Sequence, residues 1–147
     1  MKNLILLATV FFSMNVFAAE KNPTVNEKVL KTFNQVFKDA QNVHWNNGVK
    51  YTEATFESGT VKTKAVLDND GNLLQTIRYY KEEGLPANIL YNVQKQYCHE
   101  VWGVTEVSNS KGSVYNVVLK CKKYWYNVKA DAGGNVELVK KFKRADI

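Results

Sequence analysis

Asp68, Asp70 and Asn72 put side-chain oxygens at alternate positions, the way a calcium-wrapping loop begins. Such a loop also needs glycine at its sixth position and a chelating glutamate at its twelfth, and those places hold Leu73 and Tyr79. The turn recurs 63 positions later as Asp131-Ala132-Gly133-Gly134-Asn135, where Gly133 replaces the middle aspartate. Both copies therefore read as hairpin punctuation rather than as ion sites. His44 and His99 are the only histidines, and neither has a second ligand at metal-binding spacing. Cys121 lies among Lys120, Lys122 and Lys123, a setting that lowers a thiol pKa, but no base and no orienting group accompany it. The acidic residues are scattered over turns and helix faces. No catalytic residue, metal or cofactor is expected, and the chain does not read as an enzyme.

Of the 147 residues, the first eighteen read as a cleaved signal peptide. Met1-Lys2-Asn3 is a positive start, Leu4 to Met14 is an apolar run, and Val16-Phe17-Ala18 fits a peptidase site. The run is shorter than the ~20 residues that span a bilayer. The remainder, 19–147, suits one domain, and a periplasmic or secreted location follows. The formal charge of +6 falls to about +5 without Lys2. It is carried almost wholly by lysine, with Arg78 and Arg144 the only arginines. In an oxidising compartment the two cysteines, Cys98 and Cys121, read as a bonded pair, the alternative being two small buried thiols.

Two helices and eight strands are expected to carry these residues. Thr24 and Glu27 have capping-box spacing, and Val25, Val29, Phe33, Val36 and Phe37 form an apolar stripe, predicting a helix that ends near Asp39. A short extended piece at Val43-His44-Trp45 and the Asn46-Asn47-Gly48 turn lead into strands Val49 to Glu57, Thr60 to Leu67 and Leu73 to Lys81. Pro86 opens a second helix with its stripe at Ile89, Leu90, Val93 and Tyr97. Strands Val101–Ser108, Ser113–Leu119, Tyr124–Ala130 and Val136–Lys143 follow. The fold class is α+β. It is a tandem duplication of helix plus four-stranded antiparallel meander, about 24–82 and 85–144, with both helices on one face of a continuous sheet.

Applying the 63-residue offset assigns faces. Val61, Thr63, Ala65, Leu67, Leu73, Ile77 and Tyr79 match Tyr124, Tyr126, Val128, Ala130, Val136, Lys140 and Phe142, and these should turn toward the helices. The open face would then be basic. It would carry Trp125, Tyr80, Arg78, Lys129, Lys62, Lys64 and Lys141. Lys140 sits awkwardly in this register unless a bulge or an edge position explains it. By alternation Trp125 is exposed and its neighbours Tyr124 and Tyr126 are core. The ring of Trp125 either anchors a partner or lies along lysine stems without one.

The order helix, Val-x-Trp, Asn-Gly hairpin, strand pair, Asp-x-x-Gly turn, Leu-Pro-led helix and second such unit resembles the PepSY-like envelope proteins. These are related in fold to the β-lactamase-inhibitor protein. The matching pieces are Phe33 to Trp45, Asp68 to Leu74, Leu85 to Tyr97 and Asp131 to Val136. The resemblance implies two helix–β4 units, an open sheet available for protein binding, an extracytoplasmic setting and a helix-to-sheet disulfide. No inhibitory loop matches residue by residue, so inhibition of a particular enzyme is not implied. The expected function is a secreted, non-catalytic binding or inhibitory module whose open face meets another protein, with an anionic envelope polymer or small ligand as the alternative. Nucleic acid and membrane insertion are not expected.

Overall fold

Apolar residues recurring every second position, broken by Gly- and Asn-rich turns, can pair only as an antiparallel meander, and the computed structural model shows one. It describes residues 24–145, so the signal-peptide expectation for 1–18 lies outside the described residues. The helix α1 (Glu27–Val36) precedes β1 (Gln41–Asn47), β2 (Tyr51–Ser58), β3 (Val61–Asp68) and β4 (Leu73–Tyr80). After a short 3-10 turn come α2 (Ala87–Gln96), β5 (Val101–Asn109), β6 (Gly112–Lys120), β7 (Tyr124–Asp131) and β8 (Val136–Lys143). All eight strands form one antiparallel sheet in sequence order, and the β4–β5 pairing joins the two halves.

Several boundaries differ from expectation. The α1 N-cap is Asn26, whose side-chain oxygen accepts from the Lys28 amide, so Glu27 opens the helix instead of closing a capping box. The helix stops at Val36, which is 53% exposed, because Phe37 leaves helical geometry to reach the core. The extended piece around Trp45 is a full strand.

Each helix covers its own apolar cluster. Beneath α1, Val29 and Phe33 meet Ala54, Phe56, Ala65 and Leu67. Beneath α2, Ile89 and Val93 meet Val104, Val117, Leu119, Val128 and their neighbours, with Tyr80 and Tyr115 at the margin. Each fully buried Val, Leu, Ile or Phe among them contributes about 1.5–3 kcal/mol of transfer free energy. Cys98, just past α2, and Cys121, just past β6, are bonded.

The repeated turn clamps each helix to the sheet. Asp68 accepts from the amides of Asp70 and Asn72 and from the Asn72 side chain, and Asp131 accepts from the amide and side chain of Asn135. These hydrogen bonds, those from Asn72 and Asn135 first, hold both exposed carboxyls below the usual aspartate range. The helices then bind the turns. Asn26 donates to the Asn69 carbonyl, and Asn92 donates to the Gly134 carbonyl. Gly71 and Gly134 both have positive φ, and at Gly71 a Cβ would come within 2.7 Å of the Lys28 carbonyl oxygen.

Candidate functional site

Among the described residues one face of the sheet carries no helix, and the residues on it follow from the strand register. Trp45, Ala54 and Ala65 lie in register on the helix side, and so do Val104, Val117 and Val128. Their neighbours along each strand therefore face the open side. Lys62 and Lys64 stand there, as expected from sequence, with the Lys64 ammonium 3.2 Å from Glu53. Lys129 is exposed there too, between Asn116 and Glu137.

Two bulges overturn the rest of the assignment. Between β3 and β4 the pairing passes from Val66–Gln75 to Leu67–Leu73, leaving Leu74 as an extra residue. Between β7 and β8 it passes from Asn127–Lys140 to Val128–Leu138, leaving Val139 extra. One added residue turns every later side chain to the other face. Hence Ile77 and Tyr79 lie on the open face, while Tyr80, Arg78 and Lys141 turn to the helix side. Tyr80 is buried in the α2 core with its hydroxyl donating to Glu106 at 2.7 Å. Burial first, and the Glu106 carboxylate second, push its phenol well above the ordinary value. Arg78 meets Glu106 at 3.3 Å, and the Lys141 ammonium lies 3.9 Å from the Tyr124 ring centroid. Lys140 moves to the open face, where its ammonium covers Phe142 at 4.8 Å. Its awkwardness came from the bulge, and β8 is also an edge strand.

Both tryptophans of the open face and Phe142 gather at one corner of it. Trp125 lies opposite Lys120 on β6 and Phe142 on β8. A third bulge, between Val101 and Gly103, lets Val101 and Val104 both enter the core while Trp102 leaves it. The indole of Trp102 meets that of Trp125 edge-on at 5.4 Å. The Lys120 ammonium sits over both, 5.1 Å from Trp102 and 5.7 Å from Trp125. Trp102 is 57% exposed and Phe142 41%, whereas Trp125 is half-buried by these neighbours. Tyr126, on the opposite face, packs against the α2 core and Tyr97, as alternation required.

Sequence reasoning therefore found Trp125 and missed Trp102, Phe142, Lys120 and Lys140. The usable signal was Gly103, a glycine inside a strand, which marks a bulge. The charge is also less uniform than expected. On β2 and β3, Glu53 and Glu57 face Lys62 and Lys64, so the lysine excess lies on β6 to β8. There Lys120, Lys129 and Lys140 stand with Glu137 opposite Lys129 and with Asp131 engaged in its own turn. Among the described residues, no three His, Cys, Asp or Glu side chains come together as metal ligands, and no helix is long and apolar enough to cross a membrane.

No protein-family model matches the chain, and no curated protein does. Solved structures do match. A BLIP-like protein from Bacteroides fragilis gives a TM-score of 0.63 at 16% identity, covering 84% of this chain and 90% of that one. A DUF2874 family protein from Bacteroides ovatus gives 0.59 at 19%, covering 84% and 91%. A protein from Bacteroides eggerthii, provisionally described as periplasmic, gives 0.59 at 13%, covering 84% and 91%. At these identities the likeness is one of fold. The described residues form an α+β fold of two α-helices on one eight-stranded antiparallel sheet, folded as a BLIP-like protein is.

Proposed function

We propose that this chain is a secreted, non-catalytic binding module, and that it offers the open face of its sheet to another protein of the cell envelope or outside the cell. The observation that carries the reading is the Trp102–Trp125 pair, with Lys120 above it, on a face that neither helix covers. Exposed tryptophans beside cations are the residue types that anchor protein interfaces. Size permits it. Eight strands spaced about 4.8 Å apart and roughly 26 Å long offer on the order of 1,000 Å², against the ~800 Å² per partner of a standard interface. The Cys98–Cys121 bond and the signal-like residues 1–18 support an oxidising, extracytoplasmic compartment. The 63-residue recurrence of the turn, each copy clamped by its own helix, supports a tandem duplication in the PepSY-like manner.

The partner that fits carries an apolar ridge for the tryptophans, flanked by carboxylates for Lys120, Lys129 and Lys140. Affinity capture from the envelope fraction on immobilised protein tests this. Trp102→Ala should weaken retention of the partner about thirty-fold, a loss of ~2 kcal/mol, and Lys129→Glu should weaken it further. Unchanged retention by both variants would sink the assignment of this face. The lysine excess on β6 to β8 favours one second reading, an anionic envelope polymer. That reading requires steep loss of binding with salt and no protein retained.

A further inference from the structure

The side of the sheet that bears the helices is not sealed. The clusters under α1 and α2 stay separate, and between them runs a polar seam formed by Thr63 on β3, Thr76 and Arg78 on β4, Glu106 and Ser108 on β5, and Ser113 on β6. Over this seam, beside the C-terminal end of α1, a cleft of about 340 Å³ opens. Phe37, Phe56 and Val61 give it apolar walls, and Thr63, Thr76 and Arg78 give it polar ones.

Arg78 sets the chemistry. Its Nη1 donates to Glu106 at 3.3 Å, and its other N–H groups meet no protein acceptor among the described residues. The side chain is 42% exposed, so these donors remain available from the cleft. Glu106 does not depend on Arg78 alone, because Tyr80 and Ser108 donate to it at 2.7 and 3.0 Å. The guanidinium can therefore engage a second acceptor while Glu106 keeps two hydrogen bonds. A planar fork with free N–H edges matches a carboxylate, and a carboxylate alone would leave the aromatic walls wet. At the rim Lys38 and Asp39 offset each other, and Glu106 already balances Arg78, so what the cleft offers a carboxylate is unused guanidinium N–H donors rather than a spare positive charge. Its volume lies at the low end for small-molecule sites.

We propose that this cleft binds a small amphipathic carboxylate, its carboxylate on Arg78 and its aryl or alkyl tail against Phe37 and Phe56. The site lies across the sheet from Trp102 and stands independently of the open-face reading.

Titration of the isotope-labelled protein with 4-phenylbutyrate, followed by NMR, tests it, with 4-phenylbutanol as the uncharged analogue. The acid should produce saturable shifts at Phe37, Phe56 and Arg78, and the alcohol should bind about tenfold more weakly or worse. Arg78→Lys keeps a charge beside Glu106 but removes the fork, and should weaken the acid by about tenfold or more. Val61→Trp fills the cleft without touching Arg78 or Glu106 and should abolish the shifts, so the test stands even if Arg78→Lys does not fold. Trp102→Ala should leave the titration unchanged. No saturable shift in the unmodified protein, equal affinity for acid and alcohol, or undiminished binding in Val61→Trp would each overturn the proposal.

Discussion

Under α1, Phe33, Phe37, Phe56 and Trp45 pack ring on ring, with centroid separations of 4.8 to 5.2 Å. In the second half Trp102, Trp125 and Phe142 stand on the opposite side of the sheet, outside the core, and what lies under α2 is mainly aliphatic side chains and tyrosine. The two halves share element order and the same turn, yet one buries its largest rings and the other displays them. The disulfide between Cys98 and Cys121 belongs to the second half. Aromatic packing holds the first helix to the sheet, while a covalent bond helps hold the second. Under the proposed function, the difference separates stability from recognition within one architecture.

Phe33→Ala should break that division most visibly. It removes the ring at the centre of the first cluster and should cost about 3–5 kcal/mol in chemical denaturation. A loss under about 1 kcal/mol would mean that the aromatic cluster does not hold α1 down. Replacing both Cys98 and Cys121 by alanine opens a 23-residue separation and should cost roughly 3 kcal/mol, with hydrogen exchange rising at the C-terminal end of α2 before it rises in α1. Uniform loosening of both halves would erase the distinction drawn between them.

The turns permit a finer comparison. Alanine is strained at both Gly71 and Gly134 by positive φ, but at Gly71 the obstacle is the Lys28 backbone, at 2.7 Å. At Gly134 it is the amide ends of Asn88 and Asn92, 3.0 Å or more away, which can rotate aside. Gly71→Ala should therefore lower stability by about 1–2 kcal/mol and Gly134→Ala by less, read as the shift in denaturation midpoint. The reverse order would contradict the docking described for the first turn.

Smallest is the acid response. Asp68 and Asp131 have lowered pKa values in the folded state, so their contribution is present above the unfolded pKa and disappears as pH falls through the folded one. Stability should drop below about pH 4, and the double variant Asp68→Asn, Asp131→Asn should show a shallower drop. Parallel acid curves for the two proteins would remove these carboxylates from the account.

Much of this architecture is legible in the residues, because turn chemistry and periodicity are local. Asp68 to Asn72, Asn46-Asn47-Gly48 and the stripes through Phe33 and Ile89 mark both helices and every strand after β1. Faces are a different matter, because a bulge adds one residue and reverses all that follows. Leu74 and Val139 look like ordinary strand residues. The 63-residue offset still matched equivalent positions, since both β4 and β8 are bulged, but it gave their later residues the wrong face. That is why Lys62, Lys64, Trp125 and Lys129 were placed correctly, and Arg78, Tyr80 and Lys141 were not. Glu106 escaped notice for a related reason. Its partners come from β4 and from its own strand, and only the pairing of β4 with β5 brings them together.

Trp102 gives the most direct test of the separation between stability and recognition. The same Trp102→Ala protein should be measured twice, once for unfolding free energy and once for retention of envelope protein. Stability should stay within about 0.5 kcal/mol of the unmodified chain, because the ring is largely exposed, while retention falls about thirty-fold. Retention that is unchanged, or that falls only in step with unfolding, would contradict the account.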